Sequence, residues 1–189
     1  MTVYIAFLRG INVGGKNKIK MADLKCVFED MGLVRVETYI QSGNVIFESD
    51  EPEITLRTKV EHEIERNFGI PASVILRTSC ELERLINVCP FSEEEIMKAE
   101  ALNSEGESLY VNLLTEVPDE EKIEYLNRLR NEKDDFRIIN RDMYLLFFHS
   151  IRKSKLANSL QKLETPSTVR NWKTINKLMA LAKSRATME

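Results

Sequence analysis

The stretch VRVETYIQSGNVIFE, residues 34–48, decides the fold of this chain. Residues 34–41 and 44–48 are rich in β-branched and aromatic side chains, a composition typical of strands. The segment QSGN joins them, and Gly43 can take the positive φ that a tight hairpin turn needs. The stretch therefore predicts an antiparallel hairpin, and the elements around it can be placed relative to that hairpin.

A helix pattern lies on each side of the hairpin, and each helix has a strand beyond it. Before the hairpin, apolar spacing predicts a strand over residues 3–9 and a helix over residues 21–31 that ends at Gly32. After the hairpin, a second helical face runs through residues 56–68 and a strand follows at residues 72–77. The order β-α-β-β-α-β is that of a ferredoxin-like unit, an α+β fold with an antiparallel sheet.

The pattern recurs in the second half of the chain. A strand at residues 109–115 and a helix at residues 118–130 precede a hairpin formed by residues 136–140 and 143–148. A further helix is predicted over residues 154–163. We infer a duplication, with two ferredoxin-like subdomains of the β-α-β-β-α-β type.

The repeat sets the predicted domain boundaries. We expect a first subdomain at residues 1–79, a helical connector at residues 80–106, and a second subdomain with a C-terminal helix at residues 107–189. Within the connector, Ser92 and Glu95 have the spacing of a capping box at a helix start.

Composition and charge exclude several classes of protein. The net charge of −3 over 189 residues argues against broad nucleic-acid contact, so any basic site must be local. The chain has no apolar run near the roughly 20 residues of a membrane helix. It also has no basic segment typical of a signal peptide at its start. Three cysteines without metal-ligand spacing are typical of reduced thiols, so we expect a cytoplasmic protein.

The loop LRGINVGGKNK, residues 8–18, has the composition of an anion site. Glycines let backbone N–H groups approach a ligand closely, while lysine and arginine supply positive charge, a combination that suits a phosphate. The alternative is a strand-to-helix connection whose glycines only permit the turn. The loop matches neither a Walker loop nor a dinucleotide fingerprint. The candidate ligand-binding residues here are Arg9, Asn12, Gly14, Gly15, Lys16 and Asn17.

The hairpin turn supplies further candidates. A turn needs Gly43 but not the side chains of Gln41, Ser42 and Asn44, which are able to read a base, an amide or a sugar. The alternative is a self-capping turn in which Ser42 and Asn44 bond the local backbone.

A third set of candidates lies near the end of the chain, at Lys155, Arg170, Asn171 and Trp172. Arg170 and Asn171 precede or open the final helix, predicted over residues 172–182. A cation is unfavourable at that end of a helix, so Arg170 there calls for a compensating anion. The alternative is that Thr168 or Asn171 serves only as the helix cap. Trp172 is either a stacking platform or a core residue.

The titratable residues show no pattern of standard catalysis. His62 and His149 have no serine or cysteine nearby in a nucleophile motif, and Cys26 is expected to be semi-buried. The sequence contains no metal-ligand cluster. We therefore assign no catalytic residue, metal or cofactor, and leave open whether the protein is an enzyme.

Four motifs together resemble an uncharacterised bacterial family known as domain of unknown function 1697. They are LRGINVGGKNKIKM, YIQSGNVIF, SKL at residues 154–156 and TVRNWKTINKL at residues 168–178. The resemblance covers nearly the whole chain, in order. It implies two ferredoxin-like subdomains produced by duplication, in agreement with the repeat, and it implies no activity. The chain departs from the family in having Val169 where a threonine is common, and Arg152 and Lys153 where a glycine is common.

These motifs favour a protein that binds a phosphate-bearing small molecule or nucleotide in a basic, glycine-lined cleft between the subdomains. That hypothesis requires motifs distant in sequence to meet in the fold. One alternative is an RNA-binding module that displays aromatic residues on a sheet, such as Tyr39 and Phe47 or Tyr110 and Phe148. Another is a scaffold without ligand, in which the motifs only fix the subdomain interface.

Overall fold

A computed structural model describes residues 1–186 and divides them into two compact units. The first unit comprises Met1–Arg84 together with the chain from Asn176 onward, and the second comprises Leu85–Ile175. The chain passes from one unit to the other twice, each time within a helix.

The first unit has the predicted β-α-β-β-α-β order. Its four strands form one antiparallel sheet, in the spatial order β2-β3-β1-β4. A helix that starts in this unit, α3, follows the last strand directly. The elements are β1 (Thr2–Arg9), α1 (Met21–Asp30), β2 (Val34–Tyr39), β3 (Asn44–Ser49), α2 (Glu53–Phe68), β4 (Ser73–Thr78) and α3 (Ser79–Asn87).

Alternation along the central strand β1 places the core of this unit. Tyr4, Ala6 and Leu8 point to one face and join the apolar sides of α1 and α2 in a single buried cluster. On the opposite face, Ile5 and Phe7 are also fully buried. Apolar residues on both faces of residues 3–9 predicted this double burial, which is typical of a central strand covered on two sides.

The second unit repeats the arrangement with a second antiparallel sheet, in the order β6-β7-β5-β8. Its elements are α4 (Glu93–Leu102), β5 (Leu109–Leu114), α5 (Glu120–Asn127), β6 (Asp134–Ile139), β7 (Asp142–Phe147), α6 (Lys155–Asn158) and β8 (Ser167–Asn171), with 3-10 turns at Ile151–Lys153 and Leu160–Leu163. The helix α7 (Trp172–Ala186) follows β8, and only its first residues, up to Ile175, belong to this unit. The two sheets confirm the prediction of a duplicated ferredoxin-like α+β fold.

The register of the strands shows how closely the halves correspond. On β1, Ile5 lies opposite Arg77 of β4, and on β5, Val111 lies opposite Arg170 of β8. Each arginine is buried and directly precedes the residue that caps the following helix. The duplication therefore includes the helix after the fourth strand as well as the six elements of the ferredoxin-like order.

One predicted helix of the second half was wrong, and one of its strands was not located. The expected helix over residues 154–163 is broken into the short α6 and a 3-10 turn, because Asn158 and Ser159 favour local hydrogen bonds over helix. The strand β8 was not predicted, because its five residues STVRN lack a recognisable apolar alternation. Pairing with the central strand β5 makes this segment a strand in spite of its composition.

The predicted capping box at the start of α4 is present, and its glutamate also forms an ion pair. Ser92 Oγ accepts from the Glu95 N–H, and Glu95 Oε2 accepts from the Ser92 N–H. The same carboxylate binds Arg137 on β6, with Nη1 of the arginine 3.2 Å from Oε2. The hydrogen bonds from Arg137, and then that from Ser92, lower the pKa of Glu95 from 4.5 to about 2.

This lowered pKa predicts an acid-dependent loss of stability. A carboxyl with a lower pKa in the folded state stabilises the fold above its unfolded pKa, and that contribution is lost as pH falls through the folded pKa. We expect Glu95→Gln to flatten the decline in unfolding free energy between pH 4.5 and about 2, measured by urea denaturation. Glu93→Gln, at an exposed first-turn position, is the control. An equal effect of both variants would contradict the assignment to Glu95.

None of the helices within residues 1–186 is long and apolar enough to cross a membrane.

Candidate functional site

The loop between β1 and α1 is held together by its own asparagines. Asn12 Oδ1 accepts from the Ile19 N–H at 2.8 Å, while Asn12 Nδ2 donates to the carbonyls of Ile19 and Gln41 at 3.0 and 2.9 Å. Asn17 Nδ2 donates to the Gly10 carbonyl at 2.8 Å. Both asparagines have positive φ angles. Their side chains therefore shape the loop and tie it to the hairpin turn.

The hairpin turn uses its polar side chains in the same local way. Asn44 is fully buried, and its Nδ2 donates to the Tyr39 carbonyl at 3.1 Å and to Ser42 Oγ at 2.8 Å. This is the self-capping arrangement that the sequence left open for Ser42 and Asn44. The Gln41 side chain is exposed, although its backbone carbonyl is bonded to Asn12.

A cavity of about 800 Å³ lies beside this loop, within the first unit. Its wall combines the end of the loop, the first turn of α1, the hairpin turn and the last residue of α2. The lining residues are Asn12, Gly15, Lys18, Ile19, Lys20, Met21, Ala22, Asp23, Gln41 and Phe68. We refer to this space as the α1 cavity.

The cations around the α1 cavity have no acidic partners among the residues that the structure describes. All four residues, Arg9, Lys16, Lys18 and Lys20, are exposed, but only Lys18 and Lys20 line the cavity. Across residues 1–186, none of these four side chains forms an ion pair or a hydrogen bond. A chain of net charge −3 thus carries a local excess of positive charge at this loop.

The start of α1 adds polar N–H groups to the same wall. The residue before the helix is Lys20, which makes no side-chain capping bond, and the first intrahelical bond runs from the Leu24 N–H to the Lys20 carbonyl. The N–H groups of the first turn consequently lack helical partners. A lysine at this end of a helix is unfavourable unless an anion is present.

Lys20 was missed as a site residue by reasoning from the sequence, and Lys18 was included in the basic loop but not among its candidate ligand-binding residues. The available signal was the segment KIKM before the predicted helix, which has no Ser, Thr, Asp or Asn at the capping position. A cation at a helix start calls for an anion. Lys20 is at such a position in α1, as Arg170 is beside the cap of α7.

Arg170 lies on strand β8 and directly precedes Asn171, which caps α7, so it precedes the final helix, one of the two placements expected from the sequence. Its Nη1 donates to Thr168 Oγ1 at 2.7 Å and to the Val169 carbonyl at 2.9 Å. Burial lowers the pKa of Arg170 to about 10. The guanidinium is thus engaged by its own strand.

The neighbouring candidates of the second unit have local roles as well. Asn171 Oδ1 accepts from the Thr174 N–H at 2.8 Å and caps α7. Trp172 is half-buried, with its ring 6.4 Å from that of Tyr144. Lys155 is exposed at the first position of α6. That these residues share one cleft with those of the first unit stays a prediction.

The titratable residues outside the α1 cavity give no catalytic arrangement. Cys26 is exposed and not semi-buried, because it lies on the side of α1 away from Leu24 and Val27. His149 Nε2 lies 2.7 Å from Asp134 Oδ1, and His62 is exposed. In the part of the chain that the structure describes, no group of three His, Cys, Asp or Glu side chains could hold a metal ion.

Two of three comparisons with known proteins found a match. The family model described as "Protein of unknown function (DUF1697)" matches residues 1–144. Among solved structures, the chain is similar to the conserved bacterial protein SP0830 from Streptococcus pneumoniae, with 27% sequence identity and a TM-score of 0.73. That similarity covers 96% of this chain and 98% of the other. The search of curated proteins found no match.

Proposed function

Since this chain belongs to the DUF1697 family of proteins of unknown function, we propose from its own geometry that it binds a phosphate-bearing small molecule or nucleotide in the α1 cavity. The observation that carries the proposal is the presence of two lysines without acidic partners, Lys18 and Lys20, in the wall of one cavity.

The polar part of the wall suits a phosphate. Ammonium groups form charge-assisted hydrogen bonds to phosphate oxygens, and such bonds are stronger than neutral ones. The first-turn N–H groups of α1 point along the helix axis toward its N-terminal end, where the helix dipole favours negative charge. Gly15 lets the loop backbone approach the ligand without a side chain in between.

The apolar part of the wall suits the organic portion of such a ligand. Ile19, Met21 and Phe68 contribute carbon surface, and Phe68 is half-buried at the end of α2. The exposed side-chain amide of Gln41 offers both a donor and an acceptor. A nucleotide presents a flat base and a phosphate together, and a cavity of about 800 Å³ falls within the range of small-molecule sites.

Among the described residues, Asp23 is the one acidic residue in the wall. As an acidic residue in the first turn, it is favourable for the helix itself but opposes a bound anion. This conflict predicts that removing the charge of Asp23 strengthens phosphate binding while slightly weakening the helix.

Thermal-shift measurements with inorganic phosphate, adenosine monophosphate and ribose 5-phosphate test the proposal. We expect a rise in Tm, because a ligand that binds only the folded state stabilises it. Lys18→Ala and Lys20→Ala should each weaken the affinity about tenfold, the loss expected for one charge-assisted contact. Asp23→Asn should strengthen it.

The matched control is Lys25→Ala. Lys25 lies on the same helix, pairs with Glu29 and does not line the cavity. It should leave the affinity unchanged. Equal losses in the Lys25 variant and the two cavity variants would show nonspecific charge attraction, and would contradict the proposed site.

The three cysteines of the chain are free, which supports a reducing, cytoplasmic location for a protein that binds such a metabolite. We also propose that the chain is of bacterial origin, which its similarity to the Streptococcus pneumoniae protein supports. No specific observation favours the RNA-binding alternative. Phe47 is fully buried against Tyr4 and Phe28, so it is not displayed for base stacking.

A further inference from the structure

A second cavity, in the second unit, has charged groups that the proposed phosphate site does not use. Its volume is about 410 Å³, and it lies between the loop before β5 and the 3-10 turn after β7. The side chains that define its chemistry are those of Glu105, Glu107, Tyr110, Arg152 and Lys153.

The duplication provides an internal reference for Tyr110. Tyr4 occupies the corresponding position on β1, and its hydroxyl donates to the Glu51 carbonyl at 3.1 Å. The Tyr110 hydroxyl has no hydrogen-bond partner among residues 1–186, and its ring packs edge-on against Phe147. The Tyr4 hydroxyl is thus bonded to the backbone, whereas the Tyr110 hydroxyl is available to a ligand.

Four charged side chains line this cavity, and only two of them form an ion pair with each other among the described residues. Lys153 Nζ lies 2.6 Å from Glu105 Oε1, so these two groups satisfy each other. Arg152 and Glu107 carry opposite charges, but within the described residues they form no ion pair with each other or with any other side chain. Both line the cavity.

Tyr110 remains a hydrogen-bond donor at neutral pH. Burial raises the pKa of its phenol, and the nearby Glu107 carboxylate raises it further, while Arg152 lowers it to a smaller extent. Both charged side chains line the same cavity as the phenol.

We propose that this cavity binds a small zwitterion of the α-amino acid type. Its carboxylate would bind the Arg152 guanidinium and the Tyr110 hydroxyl, and its ammonium would bind the Glu107 carboxylate. Arginine suits a carboxylate because its planar fork matches the two oxygens. A ligand with only negative charge is opposed by Glu107, and a ligand with only positive charge is opposed by Arg152.

Thermal-shift screening against the free L-amino acids, each at about 10 mM, tests this inference. The same compounds with an acetylated amine or an amidated carboxylate serve as probes of each charge. We expect at least one free amino acid to raise the Tm and neither blocked form to do so. Arg152→Gln and Glu107→Gln should abolish the shift, and Tyr110→Phe should weaken the affinity about tenfold.

Two controls make the result decisive. Tyr4→Phe removes the corresponding hydroxyl of the first unit, and Arg128→Gln removes an exposed arginine outside the cavity, so both should keep the full ligand-induced shift. The Lys18→Ala variant should also keep it, because this site does not depend on the α1 cavity. An absence of any shift, or equal shifts with the blocked forms, would overturn the inference.

Discussion

Gly43→Ala is expected to lower the free energy of unfolding by about 3 kcal/mol, the combined cost of overpacking and of a strained backbone. A Cβ at this position would lie 2.7 Å from Ile11 Cδ1 and 2.9 Å from Leu8 Cβ. The φ angle of 76° is in the left-handed region that favours glycine. The Gly43 carbonyl also accepts from the Leu8 N–H at 2.8 Å, so the turn cannot shift without losing a bond to β1.

Gly14→Ala separates the two causes. Gly14 has a φ of 57° but no atom within 4 Å of an added Cβ, so only backbone strain of about 1 kcal/mol is expected. Urea denaturation of both variants measures the difference. Similar losses in the two variants would contradict the close packing of the turn against the loop between β1 and α1.

Asn112→Leu is expected to raise the free energy of unfolding by about 2 kcal/mol, because burying an amide without hydrogen bonds costs that order of energy. Asn112 is 1% exposed on the central strand β5, and neither its Nδ2 nor its Oδ1 has a partner within residues 1–186. Its cross-strand neighbours are Met143 and Val169, and the equivalent residue in the first unit is Ala6. Leucine has the same branching of heavy atoms as asparagine, with methyl groups in place of the amide oxygen and nitrogen.

Asn103→Leu is the matched control, and it is expected to lower the free energy of unfolding. Asn103 is also buried, but its Nδ2 donates to the Glu107 carbonyl at 3.0 Å and to Ser108 Oγ at 3.2 Å. Removing these bonds should cost about 2 kcal/mol, since the partners lose their donor. Denaturation curves for both variants measure the two signs. Destabilisation by Asn112→Leu would show that the Asn112 amide is hydrogen-bonded in solution.

The elements that the sequence predicts well are those whose side-chain pattern matches their final environment. The strand β1 is apolar on both faces and is buried on both, and the hairpin turn around Gly43 follows from local turn chemistry. The strand β8 has no such pattern, because its conformation depends on pairing with β5. Non-local pairing of this kind overrides local composition and cannot be read from five residues.

The candidate site illustrates the same limit. The loop between β1 and α1 was identified correctly as glycine-rich and basic, but the sequence could not show that Asn12 and Asn17 are used by the loop itself. It also could not show which cations line a cavity, because that depends on where α1 begins. The structure places Lys18 and Lys20 in that wall and leaves Arg9 and Lys16 outside it.

The most direct measurement of the central claim is a titration of the isotopically labelled protein with inorganic phosphate, followed by amide chemical shifts. Binding in the α1 cavity predicts saturable shifts concentrated at residues 18–23. The start of α2 is an internal control, because it also lacks a side-chain cap, at Pro52, but follows acidic residues in place of lysines. Shifts at residues 53–55 equal to those at residues 18–23, or no saturable shift at residues 18–23, would contradict the account.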